Sequence, residues 1–270
     1  MNKQYKIPLL LLVSLLTTSF FYQQKPTLYI IGDSTVQNNN KEKWGWGTIL
    51  SDYLDTNRIN ISNQAIAGRS SRTFLKEGRW EHIDSLLKPG DYVMMQFGHN
   101  DGAKPDTNKA GYRGTLKGTG EDTVVLTWPG GKKETVHTYG WYIRKYVRGA
   151  KAKGAIPIVL SMIPRNIWVD RKVVLADKDF GKWAKEVAQQ ENVPFIDLNS
   201  LTAEKYNVIG PDKVKSFFPI DHTHTNKTGA TINAESVVQG IRQLTGFSLN
   251  SYLVQMDNST IPATGQRVHQ

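Results

Sequence analysis

Short apolar runs rich in β-branched residues alternate with longer amphipathic segments along most of this chain. The apolar runs predict five buried strands, at residues 28–31, 59–62, 92–97, 156–161 and 194–196. The amphipathic segments predict helices at residues 48–54, 80–87, 141–153, 180–191 and 228–244. This βαβ alternation predicts an α/β fold in which helices cover both faces of a five-stranded parallel sheet. Ligands bind beyond the carboxyl ends of the strands in such folds, so the residues that follow each strand are the candidates for function.

The first 24 residues are predicted to be a secretory signal peptide. Lys3 and Lys6 precede an apolar stretch over residues 7–21, which is short for a membrane span. No Ala-x-Ala pattern marks a cleavage site, so an uncleaved anchor is the alternative. The chain has no cysteine, which excludes disulfides, thiolate metal sites and cysteine nucleophiles. We expect an exported monomer in a bacterial periplasm or outside the cell, with no membrane contact after the signal is removed.

The chain is basic, with 34 Lys and Arg against 24 Asp and Glu and a formal net charge of +10. A positive field favours acidic partners such as uronate polymers. A generally basic, soluble surface explains the same numbers without such a partner. We expect no nucleic-acid partner, because the charges are scattered and no recognised binding motif accompanies them.

One connection is much longer than the others. Residues 102–137 are rich in Gly, Lys and Thr and exceed the usual length of a loop between a strand and a helix. Within them, two β-prone runs at 123–127 and 134–138 flank a Trp-Pro-Gly-Gly turn, which predicts a hairpin. An insertion that starts directly after a strand is well placed to form a wall of a substrate cleft. The domain is predicted to span residues 25–247, followed by a peripheral tail at 248–270.

Four segments at strand ends or in late loops carry residues suited to acyl transfer. Ser34 lies on a Gly-Asp-Ser turn straight after the first strand, where a hydrolase would hold a nucleophile. His224 would act as its base, oriented by Asp221 three residues earlier. The N–H groups of Ser34 and Gly68 and the side-chain amide of Asn100 would stabilise an oxyanion. Each of these donors follows a strand, so all are expected at one edge of the sheet.

Each of these four segments, called blocks below, also has an ordinary structural explanation when it is considered alone. The glycine and the asparagine fit common bends and turns, and Asp221 fits a cap of the next turn. His222 and His224 fit surface histidines, or a metal site beside Asp221, although no further ligand set stands out and no metal is expected. Asp33 is expected to fix the loop by hydrogen bonding rather than to serve as the triad acid. The occurrence of all four blocks in this order favours catalysis.

The blocks resemble those of the SGNH, or GDSL-type, hydrolases, which supply a serine, a glycine, an asparagine and a histidine in this order. The matching residues are Ser34, Gly68, Asn100 and His224 with Asp221, and the resemblance covers residues 27–244. It implies a flavodoxin-like, three-layer α/β/α fold and ester hydrolysis without a cofactor. No serine lies in a Gly-x-Ser-x-Gly pattern, which argues against an α/β-hydrolase.

Further segments are similar to those of rhamnogalacturonan acetylesterases, which remove acetyl groups from galacturonate residues of the pectin backbone. These segments are Gly-His-Asn-Asp at 98–101, residues 111–116 and 137–142, and Asp-His-Thr-His-Thr at 221–225. The resemblance implies an acetylated acidic polysaccharide or oligosaccharide as the substrate. An acetylesterase for xylan or peptidoglycan, or a carbohydrate-binding protein without catalysis, is the alternative.

Six further residues are candidates for substrate binding: Arg69, Arg72, Trp128, Tyr139, Trp141 and His222. The three aromatic residues among them would stack on sugar faces, although aromatics at this spacing more often pack in the core. The two arginines come just after the oxyanion glycine, where they would bind a carboxylate. A solvated or structural role for both arginines remains open.

Overall fold

A computed structural model describes residues 25–108 and 111–254 of the chain. The predicted signal peptide, residues 1–24, lies outside the described residues, as do residues 255–270 of the predicted tail. Every helix within the two described ranges is too short or too polar to cross a lipid bilayer.

The central sheet has the predicted parallel arrangement. The strands of the described residues are β1 Thr27–Gly32, β2 Asn60–Asn63, β3 Tyr92–Gln96, β4 Thr123–Thr127, β5 Lys133–His137, β6 Ile156–Leu160, β7 Trp168–Val169, β8 Lys172–Val173 and β9 Phe195–Ile196. Five of them pair in parallel in the order β2-β1-β3-β6-β9, which is the order of a flavodoxin-like sheet. Each predicted strand boundary lies within one residue of the observed one.

The helices cover both faces of this sheet. They are α1 Trp46–Ile49, α2 Ser71–Lys76, α3 Arg79–Leu86, α4 Tyr139–Ala152, α5 Phe180–Gln190, α6 Leu198–Ile209, α7 Pro211–Lys215 and α8 Lys227–Gln243. Helices α3, α4, α5 and α8 match their predictions, whereas the predicted helix 48–54 divides between α1 and the 3-10 helix Leu50–Tyr53. Helices α2, α6 and α7 are additional to the prediction. Two of these, α2 and α7, are shorter than two turns and show no helical periodicity.

Side chains that alternate along β1 pack on opposite faces of the sheet. Leu28 and Ile30 join one apolar core with residues of α1, α6 and α8. Tyr29 and Ile31 join a second core with residues of α2, α3, α4 and α5. Because both faces are covered, β1, β3 and β6 are nearly continuous apolar runs, whereas the edge strand β2 is more polar and less buried. The predicted three-layer α/β/α fold is therefore confirmed.

The long insertion contains an antiparallel hairpin of β4 and β5. Its turn is closed by the N–H of Trp128, which donates to the Lys132 carbonyl at 2.8 Å. Glu134 of β5 forms ion pairs with Arg72 at 2.8 Å and with Lys76 at 2.7 Å, both on α2. These ion pairs hold the hairpin beside the segment that follows β2.

The domain continues past the predicted boundary at residue 247. Residues Ser248–Tyr252 form a 3-10 helix in which Leu249 is fully buried. The hydroxyl groups of Ser248 and Tyr92 lie 2.7 Å apart. The prediction of a peripheral tail is therefore wrong for this segment, because its one large apolar side chain completes the core beside α1 and α8.

Candidate active site

Ser34 lies on a tight turn at the carboxyl end of β1. Gly32 ends the strand, and a Cβ on Gly32 would lie only 2.6 Å from the Gln96 carbonyl oxygen, so only glycine fits there. The Asp33 carbonyl accepts hydrogen bonds from the N–H groups of Val36 and Gln37, both at 3.1 Å, which closes a helical turn. The hydroxyl of Ser34 is thereby held at the edge of the sheet.

A chain of buried hydrogen bonds fixes this turn. Asp33 Oδ1 accepts from the backbone N–H and the hydroxyl of Thr35, each at 2.8 Å. Gln96 Nε2 donates to the Thr35 hydroxyl at 2.7 Å, and Trp46 Nε1 donates to Gln96 Oε1 at 2.8 Å. Burial raises the pKa of Asp33 to about 6. Asp33 thus holds the loop, as predicted from its position.

The structure brings Ser34, His224 and Asp221 together in one line of hydrogen bonds. Ser34 Oγ lies 2.8 Å from His224 Nε2, and His224 Nδ1 lies 2.7 Å from Asp221 Oδ2. An ionised carboxylate can only accept, so we assign the histidine proton to Nδ1. In that tautomer Nε2 is free to accept the proton of the serine hydroxyl.

Asp221 is held ionised by its surroundings. Its Oδ1 accepts from the N–H groups of Thr223 at 2.7 Å and His224 at 2.8 Å. Desolvation acts to raise the pKa of Asp221, but hydrogen bonds from the His224 ring and these two N–H groups outweigh it and lower the pKa to about 2. The carboxylate can therefore orient His224 and stabilise a positive charge that forms on its ring.

The loops that carry Gly68 and Asn100 are tied to each other and to the end of β1. The N–H of Ile66 donates to the Gly32 carbonyl at 3.0 Å, which ties the loop after β2 to the end of β1. On this loop, Gly68 has a φ of +78°, a left-handed conformation that favours glycine. Asn100 Nδ2 donates to the Arg69 carbonyl at 3.0 Å. Within the described residues, the N–H groups of Ser34 and Gly68 donate no hydrogen bond, so both are available to an oxyanion.

Two arginines that were not among the candidate residues contact this site. Arg113 Nη1 donates to Asn100 Oδ1 at 2.7 Å. Arg165 follows β6 and hydrogen-bonds His222 Nε2 at 3.1 Å, the Thr223 hydroxyl and, at 3.2 Å, the His99 carbonyl. Arg165 therefore connects the loop that carries Asp221 and His224 to the loop after β3. Arg165 would have been found by treating the residues that follow β6 as candidates, as for β1, β2 and β3. No local sequence signal marks Arg113.

The structure corrects the predicted roles of Tyr139 and Arg72. Tyr139 is fully buried, and its hydroxyl donates to the Phe97 carbonyl at 3.3 Å, so its ring is unavailable to a sugar. Arg72 is also buried, where it pairs with Glu134 and donates to the Gly114 carbonyl at 2.9 Å. These two side chains stabilise the core and the insertion, so the prediction that they bind substrate is wrong.

The other candidates lie at the surface in different surroundings. Arg69 is half-exposed, but its guanidinium pairs with Glu77 at 3.0 Å. The Trp128 ring lies 3.7 Å from the ammonium of Lys76, on the hairpin. Trp141 stacks on His137 with 3.8 Å between ring centroids and lines a groove that contains none of the proposed catalytic residues. His222 is exposed beside Arg165.

Among the described residues, no group of three His, Cys, Asp or Glu side chains is arranged to hold a metal ion. The hydrogen-bonded residues of the site are a serine, a histidine and a carboxylate, with the backbone and amide donors nearby. Such a set can carry out acyl transfer through a covalent intermediate.

Curated proteins with similar sequences include a rhamnogalacturonan acetylesterase of Emericella nidulans, which is 35% identical over 86% of this chain and 90% of its own length. A Bacillus subtilis protein named "Probable rhamnogalacturonan acetylesterase YesY" is 34% identical over 84% of this chain and 97% of its own length. Among solved structures, the YxiM protein of Bacillus subtilis superposes with a TM-score of 0.66 at 27% identity. That match covers 83% of this chain and 58% of YxiM.

A family model described as "GDSL-like Lipase/Acylhydrolase family" matches residues 30–232, which include every residue of the proposed triad and oxyanion hole. The parallel sheet order and the two relatives above agree with this match. The chain therefore belongs to the GDSL-like lipase/acylhydrolase family and is a carboxylic ester hydrolase.

Proposed function

We propose that this protein is a serine esterase that removes O-acetyl groups from a plant cell-wall polysaccharide, the rhamnogalacturonan backbone of pectin. The observation that carries the proposal is the hydrogen-bonded line of Ser34, His224 and Asp221, with distances of 2.8 and 2.7 Å. The substrate is inferred from two relatives at 35% and 34% identity whose names specify rhamnogalacturonan.

In the first half of the reaction, Ser34 Oγ attacks the carbonyl carbon of the acetyl ester while His224 Nε2 accepts the hydroxyl proton. The tetrahedral oxyanion is bound by the N–H groups of Ser34 and Gly68 and by the Asn100 amide. The bond to the sugar oxygen then breaks, and His224 gives its proton to that oxygen. The sugar leaves with a free hydroxyl, and the acetyl group remains on Ser34.

In the second half, His224 accepts a proton from a water molecule, which attacks the acetyl-enzyme. The same oxyanion hole stabilises the second tetrahedral intermediate. Its collapse releases acetate, and the proton held by His224 returns to Ser34 Oγ. Asp221 remains ionised throughout and stabilises the imidazolium each time it forms. Each oxyanion donor contributes about 3–4 kcal/mol to the stability of the transition state.

The substrate class is tested by acetate release from acetylated rhamnogalacturonan, acetylated xylan and O-acetylated peptidoglycan fragments at matched acetyl concentration. We expect the largest kcat/KM on rhamnogalacturonan. A larger value on xylan or peptidoglycan would assign the same chemistry to another wall polymer. A carbohydrate-binding protein without catalysis would hydrolyse none of the three, nor p-nitrophenyl acetate.

We further propose that the protein acts outside the cytoplasm as a monomer, after removal of residues 1–24. The support is the apolar stretch that follows Lys3 and Lys6. Cell fractionation and mass spectrometry of the first residue of the mature protein test the export and the cleavage. Light scattering tests the monomer. A cytoplasmic protein with an intact amino terminus would contradict the proposal of export.

A further inference from the structure

Arg113 lies on a short 3-10 helix, Gly111–Arg113, within the long insertion. Buried Arg72 donates to the carbonyls of Gly111 at 3.3 Å and Gly114 at 2.9 Å, on either side of it. A Cβ on Gly114 would lie 2.1 Å from the Ala103 carbonyl oxygen, so the backbone is closely packed there. The main chain that carries Arg113 is therefore rigidly attached to α2 and to the loop after β3.

The guanidinium of Arg113 lies at the rim of the proposed oxyanion hole. Nη1 donates to Asn100 Oδ1 at 2.7 Å and lies 3.9 Å from the position that a Cβ on Gly68 would occupy. Asn100 and Gly68 are two of the three proposed oxyanion donors. The guanidinium therefore lies beside the position proposed for the carbonyl oxygen of a bound ester.

The positive charge of Arg113 has no protein carboxylate beside it. Within the described residues it makes no ion pair, and its only hydrogen bond is the one to Asn100. Five of the other described arginines pair with glutamates: Arg69 and Arg79 with Glu77, Arg72 with Glu134, Arg144 with Glu121 and Arg148 with Glu191. The remaining described arginines form no ion pair and, unlike Arg113, do not contact a proposed oxyanion donor; they are Arg58, Arg165, Arg171 and Arg242. Nε and Nη2 of Arg113 therefore remain available to an anionic ligand.

We propose that Arg113 binds the carboxylate of the acetylated uronate residue and so makes the enzyme specific for acidic sugars, an inference that rests on the proposed function. A guanidinium presents parallel N–H donors that match the two oxygens of a carboxylate. The acetyl ester and the carboxylate of a galacturonate belong to the same ring. The proposed binding mode places this carboxylate beside the Arg113 guanidinium when the acetyl carbonyl occupies the oxyanion hole.

Through its contact with Asn100, Arg113 also positions that side chain. The experiment must separate this effect from binding of the carboxylate. The hydrogen bond from Arg113 to Oδ1 fixes the orientation of the Asn100 amide, whose Nδ2 donates to the Arg69 carbonyl at 3.0 Å. The variant Arg113→Gln retains an N–H donor but removes the charge. Arg242→Gln is the matched control, because exposed Arg242 lies near the far end of α8, about 22 Å along the helix from Lys227.

The first measurement compares steady-state kinetics on acetylated rhamnogalacturonan oligosaccharides and on uncharged p-nitrophenyl acetate. For Arg113→Gln we expect KM for the acidic substrate to rise at least about tenfold, and the ratio of kcat/KM on the acidic substrate to kcat/KM on p-nitrophenyl acetate to fall by a similar factor. Arg242→Gln should resemble wild type on both. An equal loss on both substrates would show that Arg113 only positions Asn100, and would overturn the proposal.

The second measurement separates this proposal from the proposed function. Unacetylated oligogalacturonate is tested as a competitive inhibitor of p-nitrophenyl acetate hydrolysis, together with its methyl ester, which lacks the charge. We expect Arg113→Gln to weaken inhibition by the acid at least about tenfold and to leave inhibition by the methyl ester unchanged. Equal inhibition of wild type and variant by the acid would overturn the role of Arg113. Wild type that hydrolyses p-nitrophenyl acetate but not acetylated rhamnogalacturonan would instead contradict the proposed function.

Discussion

Ser34 Oγ lies 2.8 Å from His224 Nε2, although 190 residues separate the two in the chain. The N–H of Trp44 donates to the Thr225 carbonyl at 2.7 Å, and the Thr225 hydroxyl donates to the Trp44 carbonyl at 3.2 Å. These two bonds join the segment after the nucleophile turn to the loop that precedes α8. Because both segments lie at one edge of the sheet, the hydroxyl and the imidazole meet there.

Asp221→Asn should lower kcat on acetyl esters by about 10⁴-fold, because an amide cannot stabilise the imidazolium and permits the wrong histidine tautomer. The variant still offers an oxygen to the N–H groups of Thr223 and His224, so the fold should persist. The measurement is kcat on p-nitrophenyl acetate, with circular dichroism as the check on folding. A folded variant within about tenfold of wild type would remove Asp221 from the triad.

Asn100→Ala should lower kcat by about 10²–10³-fold with little change in KM, because the lost amide stabilises the oxyanion rather than the bound ester. Asn57→Ala is the control, since Asn57 is exposed and its side chain makes no hydrogen bond within the described residues. A rise in KM at unchanged kcat would instead indicate that Asn100 binds the ground state.

Glu134→Gln should lower the free energy of unfolding by about 3 kcal/mol, because it leaves buried Arg72 without its counter-charge. Chemical denaturation measures this loss. Glu121→Gln is a control for the exposure of the acid: its partner Arg144 is buried like Arg72, but Glu121 is 73% exposed, so water screens that pair, whereas Glu134 is 15% exposed. The control substitution should lower the free energy of unfolding by less than about 1 kcal/mol. Equal losses would show that the burial of the Arg72 pair is energetically unimportant.

Asp33 should make the protein less stable as the pH rises from about 4 to 6. Burial raises its pKa to about 6 in the folded state, so the folded chain binds more protons than the unfolded chain in this window. A shift of that size corresponds to about 3 kcal/mol of unfolding free energy lost across the window. Burial also raises the pKa of Asp101, to about 7, so a second contribution with the same sign extends to higher pH.

In the variant Asp33→Asn, the free energy of unfolding should fall less between about pH 4 and 6 than in wild type. Asparagine can still accept hydrogen bonds from Thr35, but it does not titrate. Denaturation midpoints measured from pH 4 to 7 test this expectation. Asp212→Asn, at an exposed position, is the control and should retain the slope of wild type. An unchanged slope in Asp33→Asn would show that Asp33 is not the group that titrates.

The sheet and the proposed catalytic residues were predictable from the sequence because both depend on short-range patterns. Buried parallel strands are continuous apolar runs, and function at their carboxyl ends follows from the topology. Ser34, Gly68 and Asn100 each lie in the loop that follows a strand, after β1, β2 and β3 respectively. His224 was identifiable because its carboxylate partner lies only three residues away.

Contacts between distant segments were not predictable in the same way. Arg72 is positioned like an exposed substrate ligand, and its burial depends on Glu134, which lies 62 residues later. Arg113 reaches Asn100 only because the insertion folds back over the loop after β3. Tyr139 was misassigned because an aromatic at the start of α4 has the same local pattern whether it faces the core or a cleft.

The most direct measurement is acetate release from acetylated rhamnogalacturonan oligosaccharides by wild type, Ser34→Ala and Ser85→Ala. Ser85 is an exposed serine of α3, and the only hydrogen bond that its hydroxyl makes within residues 25–108 and 111–254 is to the His82 carbonyl. We predict that Ser34→Ala lowers kcat by at least about 10⁴-fold in a folded protein, whereas Ser85→Ala matches wild type. Acetate release by folded Ser34→Ala within about tenfold of wild type would contradict the assignment of Ser34 as the nucleophile.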